Sequence, residues 1–166
     1  MKCHECALRG CKQVLGYGPV QADIAFVGEA PGYVEVRTGR PFSGPSGTLL
    51  AQVLRALEQK PSSFYYTNVS KCRDSKKGTP GREVLRACAD QLYEELVARG
   101  VKTVIALGKI AAQYTGAELD IMRNMHGRWH KWGSINVLST YNPAACLHSA
   151  DLFPDFAEDI EKVLLH

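Results

Sequence analysis

"DIAFVGEAPGYVEVRTGRPFSG", residues 23–44, runs an apolar segment straight into a glycine-rich passage that carries two carboxylates, Glu29 and Glu35. The segment 23–28 is short and almost wholly apolar, the pattern of a strand covered on both faces. Glycine-rich turns after such strands commonly cradle phosphate. This turn has no lysine for that task and places acid where the anion would sit. A nucleotide phosphate is therefore the wrong occupant.

Three further apolar runs repeat the strand pattern: "FYYTNVS" (64–70), "TVIALG" (103–108) and "INVLST" (135–140). Segments of helical period separate them. In "SGTLLAQVLRALE", Leu49, Leu50, Val53, Leu54 and Leu57 fall on one stripe. In "TPGREVLRACADQLYEELVARG", Thr79 is the expected N-cap, Pro80 the first helical residue and Gly100 the stop, with Leu85, Cys88, Leu92 and Leu96 facing inward. "GKIAAQYTG" and "FPDFAEDIEKVLL" supply two more helices. Strands alternating with helices predict βαβ units in an α/β fold: a three-layer α/β/α arrangement around a four-stranded parallel sheet. Such sheets bind ligands beyond the carboxyl ends of their strands. Glu29, Asn68 and Asn142 all fall at those ends.

The 166 residues are expected to form a single domain, 1–166, with an N-terminal cysteine arm. No apolar run approaches about 18 residues, so no membrane span is expected. "MKCHECALRGCK" lacks the apolar core of a signal peptide, which points to the cytoplasm. The net charge of +3 is mild, but Lys71–Arg86 holds six bases against two acids, and the remainder is close to neutral. A concentrated basic loop is the electrostatic footprint of a polyanion binder.

Six cysteines without an export signal read as ligands or buried thiols rather than disulfides. Cys3 and Cys6 form a C-x2-C pair. Cys72 lies in the basic loop and Cys88 on the next helix, with fifteen residues between them. A close pair plus two spaced singles can offer four thiolates to one centre, zinc or an iron–sulfur cluster, and spacing does not choose between these. Cys11 and Cys146 stand outside the pattern as spare thiols, with Cys11 a weaker substitute for Cys6.

The set "GEAPG" (28–32), "GRPFSGPSGTLL" (39–50), "TNVSKCR" (67–73) and "ALGKIAA" (106–112), together with the four cysteines, resembles the family 4 uracil-DNA glycosylases. The resemblance runs from Cys3 to Leu147. It implies a uracil-DNA glycosylase-like fold, excision of uracil from single- or double-stranded DNA by a monomeric enzyme, and a structural [4Fe–4S] cluster on Cys3, Cys6, Cys72 and Cys88 in preference to zinc. It also implies site roles. Phe42 stacks on a flipped base and Asn68 reads its edge, while the backbone at Gly28 and Ala30 approaches it closely. Glu29 stands beside the reacting sugar.

Two positions depart from that family's pattern. Its histidine–proline motif after the last strand reads "STYNPAACLHS" here, so Asn142 replaces the histidine that donates to uracil O2, and His148 replaces an arginine. The second acid of the first motif is replaced at Glu35-Val36. Leu147 is the candidate wedge for the hole a flipped base leaves. Lys71, Arg73, Lys76, Lys77 and His148 are the candidate DNA contacts. His126 is a possible stand-in for the missing histidine, and Trp129 and Trp132 are expected in the core. Asn142 also admits a second reading: a non-catalytic DNA-binding module that keeps the fold and the cluster. A third is a zinc-stapled α/β nucleotide-binding protein.

Overall fold

The computed structural model describes Cys3 and residues 6–165. Its centre is a sheet of five strands in the order β2-β1-β3-β5-β4. The strands are β1 (Ile24–Gly28), β2 (Tyr65–Asn68), β3 (Thr103–Leu107), β4 (Arg128–Trp132) and β5 (Ile135–Thr140). The first four in that spatial order are parallel; β4 pairs antiparallel with β5 at the edge. The four expected strands are present, and β4 is an addition to the expected set. Its sequence, RWHKW, is half exposed along its length, so it carries no buried apolar run. A two-residue turn, Gly133-Ser134, joins it to β5. Trp129 is exposed, contrary to expectation, and Trp132 packs edge-on against Tyr93 at 5.0 Å.

Side-chain alternation along the strands builds two cores. Ala25, Val27, Val104, Ala106 and Val137 point to one face, where α3 (Arg82–Ala98) covers them with Leu85, Leu92 and Leu96, and α4 (Lys109–Tyr114) with Ala111 and Ala112. Phe26, Ile105 and Leu107 point to the other face. There they meet α2 (Pro45–Ala56), α6 (Pro143–His148) and α7 (Phe153–Leu164). Two short helices, α1 (Tyr33–Thr38) and α5 (Met122–Met125), lie in the connections. Among the described residues no helix is long and apolar enough to cross a membrane.

Helix α3 starts later than expected. Gly81, in extended conformation, precedes its first residue, so Thr79 and Pro80 belong to the loop; Gly100, at φ 72°, takes the left-handed position after its end.

The chain passes from β1 to β2 on one side and then to β3 on the other. The direction of winding thus reverses at the carboxyl ends of β1 and β3, where α/β sheets open a crevice. Helix α7 is tied to that end of the sheet by Asp159, which is only 1% exposed. Its Oδ2 accepts from the Thr140 hydroxyl at 2.8 Å and lies 3.0 Å from His126 Nδ1. Replacing Asp159 by Ala leaves a buried hydroxyl without its charged acceptor. Urea denaturation should show a loss of about 2 kcal/mol; an unchanged midpoint would mean that the tie carries no stability.

Candidate active site

The crevice is organised around one missing side chain. Gly28 closes β1 directly opposite Asn68, the last residue of β2. A Cβ on Gly28 would overlap Asn68 Oδ1 and stand 3.0 Å from Phe42 Cζ. The amide of Asn68 and the ring of Phe42 therefore both close on the same strand end. Asn68 is 4% exposed, and its amide enters none of the side-chain hydrogen bonds among the described residues. An amide without a protein partner among the described residues is available to bind something else. The ladder continues one step past the strands, with Val69 N–H donating to Gly28 O and Ser70 N–H to Glu29 O, both at 2.9 Å. Glu29, half-buried, is thereby fixed as the next residue along.

Phe42 reaches this point through a strained loop. Its φ of 55° is left-handed, a conformation that a bulky residue adopts only when its surroundings impose it. Two features impose it. Gly47, in the first turn of α2, gives way to the Phe42 carbonyl, which a Cβ there would overlap. Glu35, buried on α1, accepts the Gly44 N–H at 2.9 Å, pinning the far end of the loop. Ser43 adds a hydrogen bond to the Arg40 carbonyl at 2.9 Å and one to Thr38 at 2.6 Å. The sequence marks Glu35 as a carboxylate of the glycine-rich passage without revealing its partner. Its flanking glycines, Gly32 and Gly44, were the signal, since both leave room for its carboxylate. A separate cavity of about 510 Å³ opens beside Phe42 among Tyr17, Arg40, Pro61, Phe64 and Tyr66, and neither Asn68 nor Glu29 lines it.

Across the switch point, Asn142 follows β5 and starts α6. Its Oδ1 accepts the Ala144 N–H at 2.8 Å, an N-cap that fixes the orientation of the amide. The cap uses the oxygen and leaves the Nδ2 donors free. Gly108, at φ 93°, brings the end of β3 alongside, with its Cβ position 3.0 Å from Asn142 Cβ. Leu147 and His148 are exposed on the last turn of α6, and Leu147 is 51% accessible. His126, the possible stand-in for the missing histidine, is engaged by neighbouring side chains. It is held by Asp159 and stacks on Tyr141 with ring centroids 4.9 Å apart, bracing the strand that leads to Asn142.

The basic loop divides in two. Lys76 and Lys77 are exposed, their N–H groups capped by Asp74 Oδ1; Arg73 is half-buried against the Gly78 carbonyl. Lys71 departs from its expected role. Its ammonium is turned inward onto Glu95 (2.7 Å), the Thr67 hydroxyl (2.6 Å) and the Asn68 carbonyl (2.8 Å). Burial lowers its pKa, and the Glu95 carboxylate works against that shift. Lys71 thereby buttresses β2.

Cys3, Cys6, Cys11, Cys72 and Cys88 line one cavity of about 300 Å³ between the N-terminal arm, the basic loop and α3. Cys3, Cys6 and Cys88 are free thiols there. Cys72, expected as a metal ligand, is instead joined to Cys11 in a disulfide, so Cys11 is not a spare thiol. Burial pushes the Cys88 thiol up from its ordinary value, the Ser70 hydroxyl opposes this, and the Cys6 and Cys3 sulfurs add to it. Among the described residues no three His, Cys, Asp or Glu side chains are preassembled around one point. The cavity gathers thiols without presenting a finished centre. Its carboxylate, Glu95, is taken by Lys71 and Tyr65. The remaining soft donors suit zinc or an iron–sulfur cluster, and the set reaches four in the expected pattern once the disulfide is open.

Comparison with known proteins gives the chain's family. Residues 15–164 match the uracil DNA glycosylase superfamily. The chain is 34% identical to the type-4 uracil-DNA glycosylase of Archaeoglobus fulgidus, over 98% of its own length and 87% of that protein's. It is also 34% identical to the type-4 enzyme of Thermotoga maritima, covering 97% and 87%. The type-4 enzyme of Pyrobaculum aerophilum is 32% identical, covering 95% and 86%.

Glu35→Ala tests the loop anchor. It strands the Gly44 N–H in a buried position, and thermal or urea unfolding should register about 1–3 kcal/mol of destabilisation. Wild-type stability in this variant would show that Glu35 does not hold the Phe42 loop.

Proposed function

The chain belongs to the uracil-DNA glycosylase superfamily, and we propose that it hydrolyses the N-glycosidic bond of uracil in DNA, leaving an abasic site for base-excision repair. The observation that carries this reading is the closure of the Asn68 amide and the Phe42 ring on the bare Cα of Gly28. A uracil in a duplex is out of reach, so its nucleotide is extruded at a cost of a few kcal/mol. Phe42 then offers a stacking face. The unpartnered Asn68 amide offers a donor to O4 and an acceptor to N3–H, the pair that cytosine inverts. Leu147, exposed on α6, is placed to fill the vacated stack.

Bond cleavage develops positive charge on the sugar and negative charge on the departing base, so fixed dipoles and charges do most of the work. Glu29, at the end of β1, supplies the negative charge for an oxocarbenium-like sugar or orients the attacking water. Asn142 supplies an Nδ2–H donor for uracil O2. Capping α6 through Oδ1 holds that donor in place without a histidine. No Schiff-base chemistry is called for: Lys71, three residues from Asn68, has its amine committed to Glu95 and Thr67. Cys3, Cys6, Cys72 and Cys88 are the residues we assign to a [4Fe–4S] cluster, with zinc the less suitable occupant. When bound, the cluster cross-links the arm to the loop and takes no part at the base. The whole chain acts as one glycosylase domain on DNA.

Excision is read by alkali cleavage of single- and double-stranded oligonucleotides bearing one uracil. Wild-type protein should release product, and Asn68→Ala and Phe42→Ala should abolish it; unchanged product in both variants would defeat the pocket. Asn142→Asp keeps the capping oxygen but loses the donor, so the rate should fall about 10²–10³-fold at near-wild-type stability. Retained binding of uracil-containing DNA with no excision by the wild type would favour the non-catalytic reading instead.

The division of the basic loop gives a second test. Lys76→Ala and Lys77→Ala should each lower the slope of log K against log salt by about one. Lys71→Ala should leave the slope alone and lower the thermal midpoint. A reduced slope for Lys71→Ala would restore that residue to the DNA interface.

A further inference from the structure

Four thiols complete the cluster pattern, yet five cysteines line the cavity. The surplus one, Cys11, is the one bonded to Cys72. Their Cα atoms are 6.3 Å apart, inside the range of about 4.4–6.8 Å that disulfides require. The backbone around them is independently fixed. Val14 N–H donates to the Lys71 carbonyl at 2.8 Å, joining the arm to the loop three residues past Cys11 and one residue before Cys72. The Ser70 hydroxyl holds Cys72 at both its N–H (3.2 Å) and its carbonyl (3.0 Å). Cys72 thus keeps one backbone position while its sulfur has two destinations, the cavity shared with Cys3, Cys6 and Cys88, or Cys11.

We propose that Cys11 is a resolving thiol for Cys72, and that the Cys11–Cys72 disulfide and the cluster are alternative, mutually exclusive states of one site. This rests on the cluster assignment made above. When the cluster is lost, the freed Cys72 thiol reduces a peroxide to water and becomes a sulfenic acid. The Cys11 thiol then attacks that sulfur, expelling a second water and forming the disulfide. The two cysteines lose two electrons in all, and the peroxide with the two thiol protons leaves as two waters. Without Cys11 the sulfenic acid is open to further oxidation to sulfinic acid, which thiols do not reverse. With it, Cys72 is held in a form that thiol–disulfide exchange returns to the ligand set. Because the backbone of the arm and loop is already joined beside the cysteines, the exchange is a side-chain event. The loop bearing Lys76 and Lys77 need not be released.

Wild-type protein and Cys11→Ser are purified without oxygen and assayed for iron and acid-labile sulfide. Iron is then stripped with a chelator, the thiols are exposed to hydrogen peroxide, and cysteines are mapped by mass spectrometry. Finally, reduction with dithiothreitol precedes rebuilding with iron and sulfide. Both proteins should carry the same iron per chain at the start. After peroxide, the wild type should yield a linked Cys11–Cys72 peptide and recover its visible absorbance. Cys11→Ser should yield Cys72 sulfinic acid and recover about threefold less. A Cys11→Ser protein that purifies with little iron overturns the proposal by making Cys11 a ligand. So does equal recovery, or a wild-type map in which Cys72 is oxidised without linkage to Cys11. Iron-free wild-type protein is a separate failure, that of the cluster assignment itself, and is recognised at the first step.

Discussion

A Cβ-sized space at Gly28 governs the rest of the site. Any side chain there would occupy the position of Asn68 Oδ1 and crowd the Phe42 ring. Because the space is left empty, two groups from different parts of the chain can face one another across a strand end. One comes from β2 through strand register, which places Asn68 opposite Gly28 without further help. The other comes from a loop and needs force. The left-handed φ of Phe42 is unfavourable by roughly 1–3 kcal/mol, and the Gly47 contact and the Glu35 clamp hold it. Strand register and the Glu35 clamp thus position both groups without the help of a ligand.

Register also explains why the acid and the amide donor lie where they do. In a sheet that winds both ways from β1, the ends of β1 and β3 are not bridged by a helix. Glu29 extends the first of these ends, and Gly108 extends the second. The glycine there admits Asn142 from the end of β5 to contact distance. Strands β1, β2 and β5, the last set apart from the first by β3, thus bring an acid, an aromatic-backed amide and a capped amide to the carboxyl end of the sheet. The buried Asp159 link to Thr140 and His126 stiffens the strand that delivers the last of them.

The four parallel strands are legible because each is largely buried on both faces and lies in a short segment rich in apolar and aromatic residues. Strand β4 is not, since an exposed edge strand of alternating bulky and basic residues has no buried apolar run; its evidence lies in pairing with β5. Phe42, Asn68 and Glu29 were legible from motif order, and the structure brings Phe42 and Asn68 together. The anchor Glu35 was hidden because its partner is a backbone N–H, which every residue but proline possesses. The inward turn of Lys71 is hidden in the sequence for a related reason. Its sequence neighbours are basic and solvated, while the groups that turn it inward, Thr67 and above all Glu95 on α3, come from elsewhere. Local charge density does not reveal which way one side chain of a loop points. Cysteine spacing likewise identified the cavity but not the partner of Cys72.

Asn142 bears most directly on whether the site can work without the histidine that the family resemblance implies at this position. A neutral imidazole donor must be held in the right tautomer by a partner on its other nitrogen. An asparagine has no tautomer to set, but it has two ends to confuse, and an amide turned by 180° would present oxygen to a developing oxyanion. The N-cap resolves that ambiguity. Turning the amide over would place an NH2 group against the Ala144 N–H and leave the first turn of α6 without its acceptor. Capping residues contribute about 0.5–2 kcal/mol to helix stability, and forfeiting that contribution biases the amide by roughly 2- to 30-fold at room temperature. The same hydrogen bond that starts the helix therefore keeps Nδ2 turned away from the Ala144 N–H, and helix stability and amide orientation at this position have a common origin.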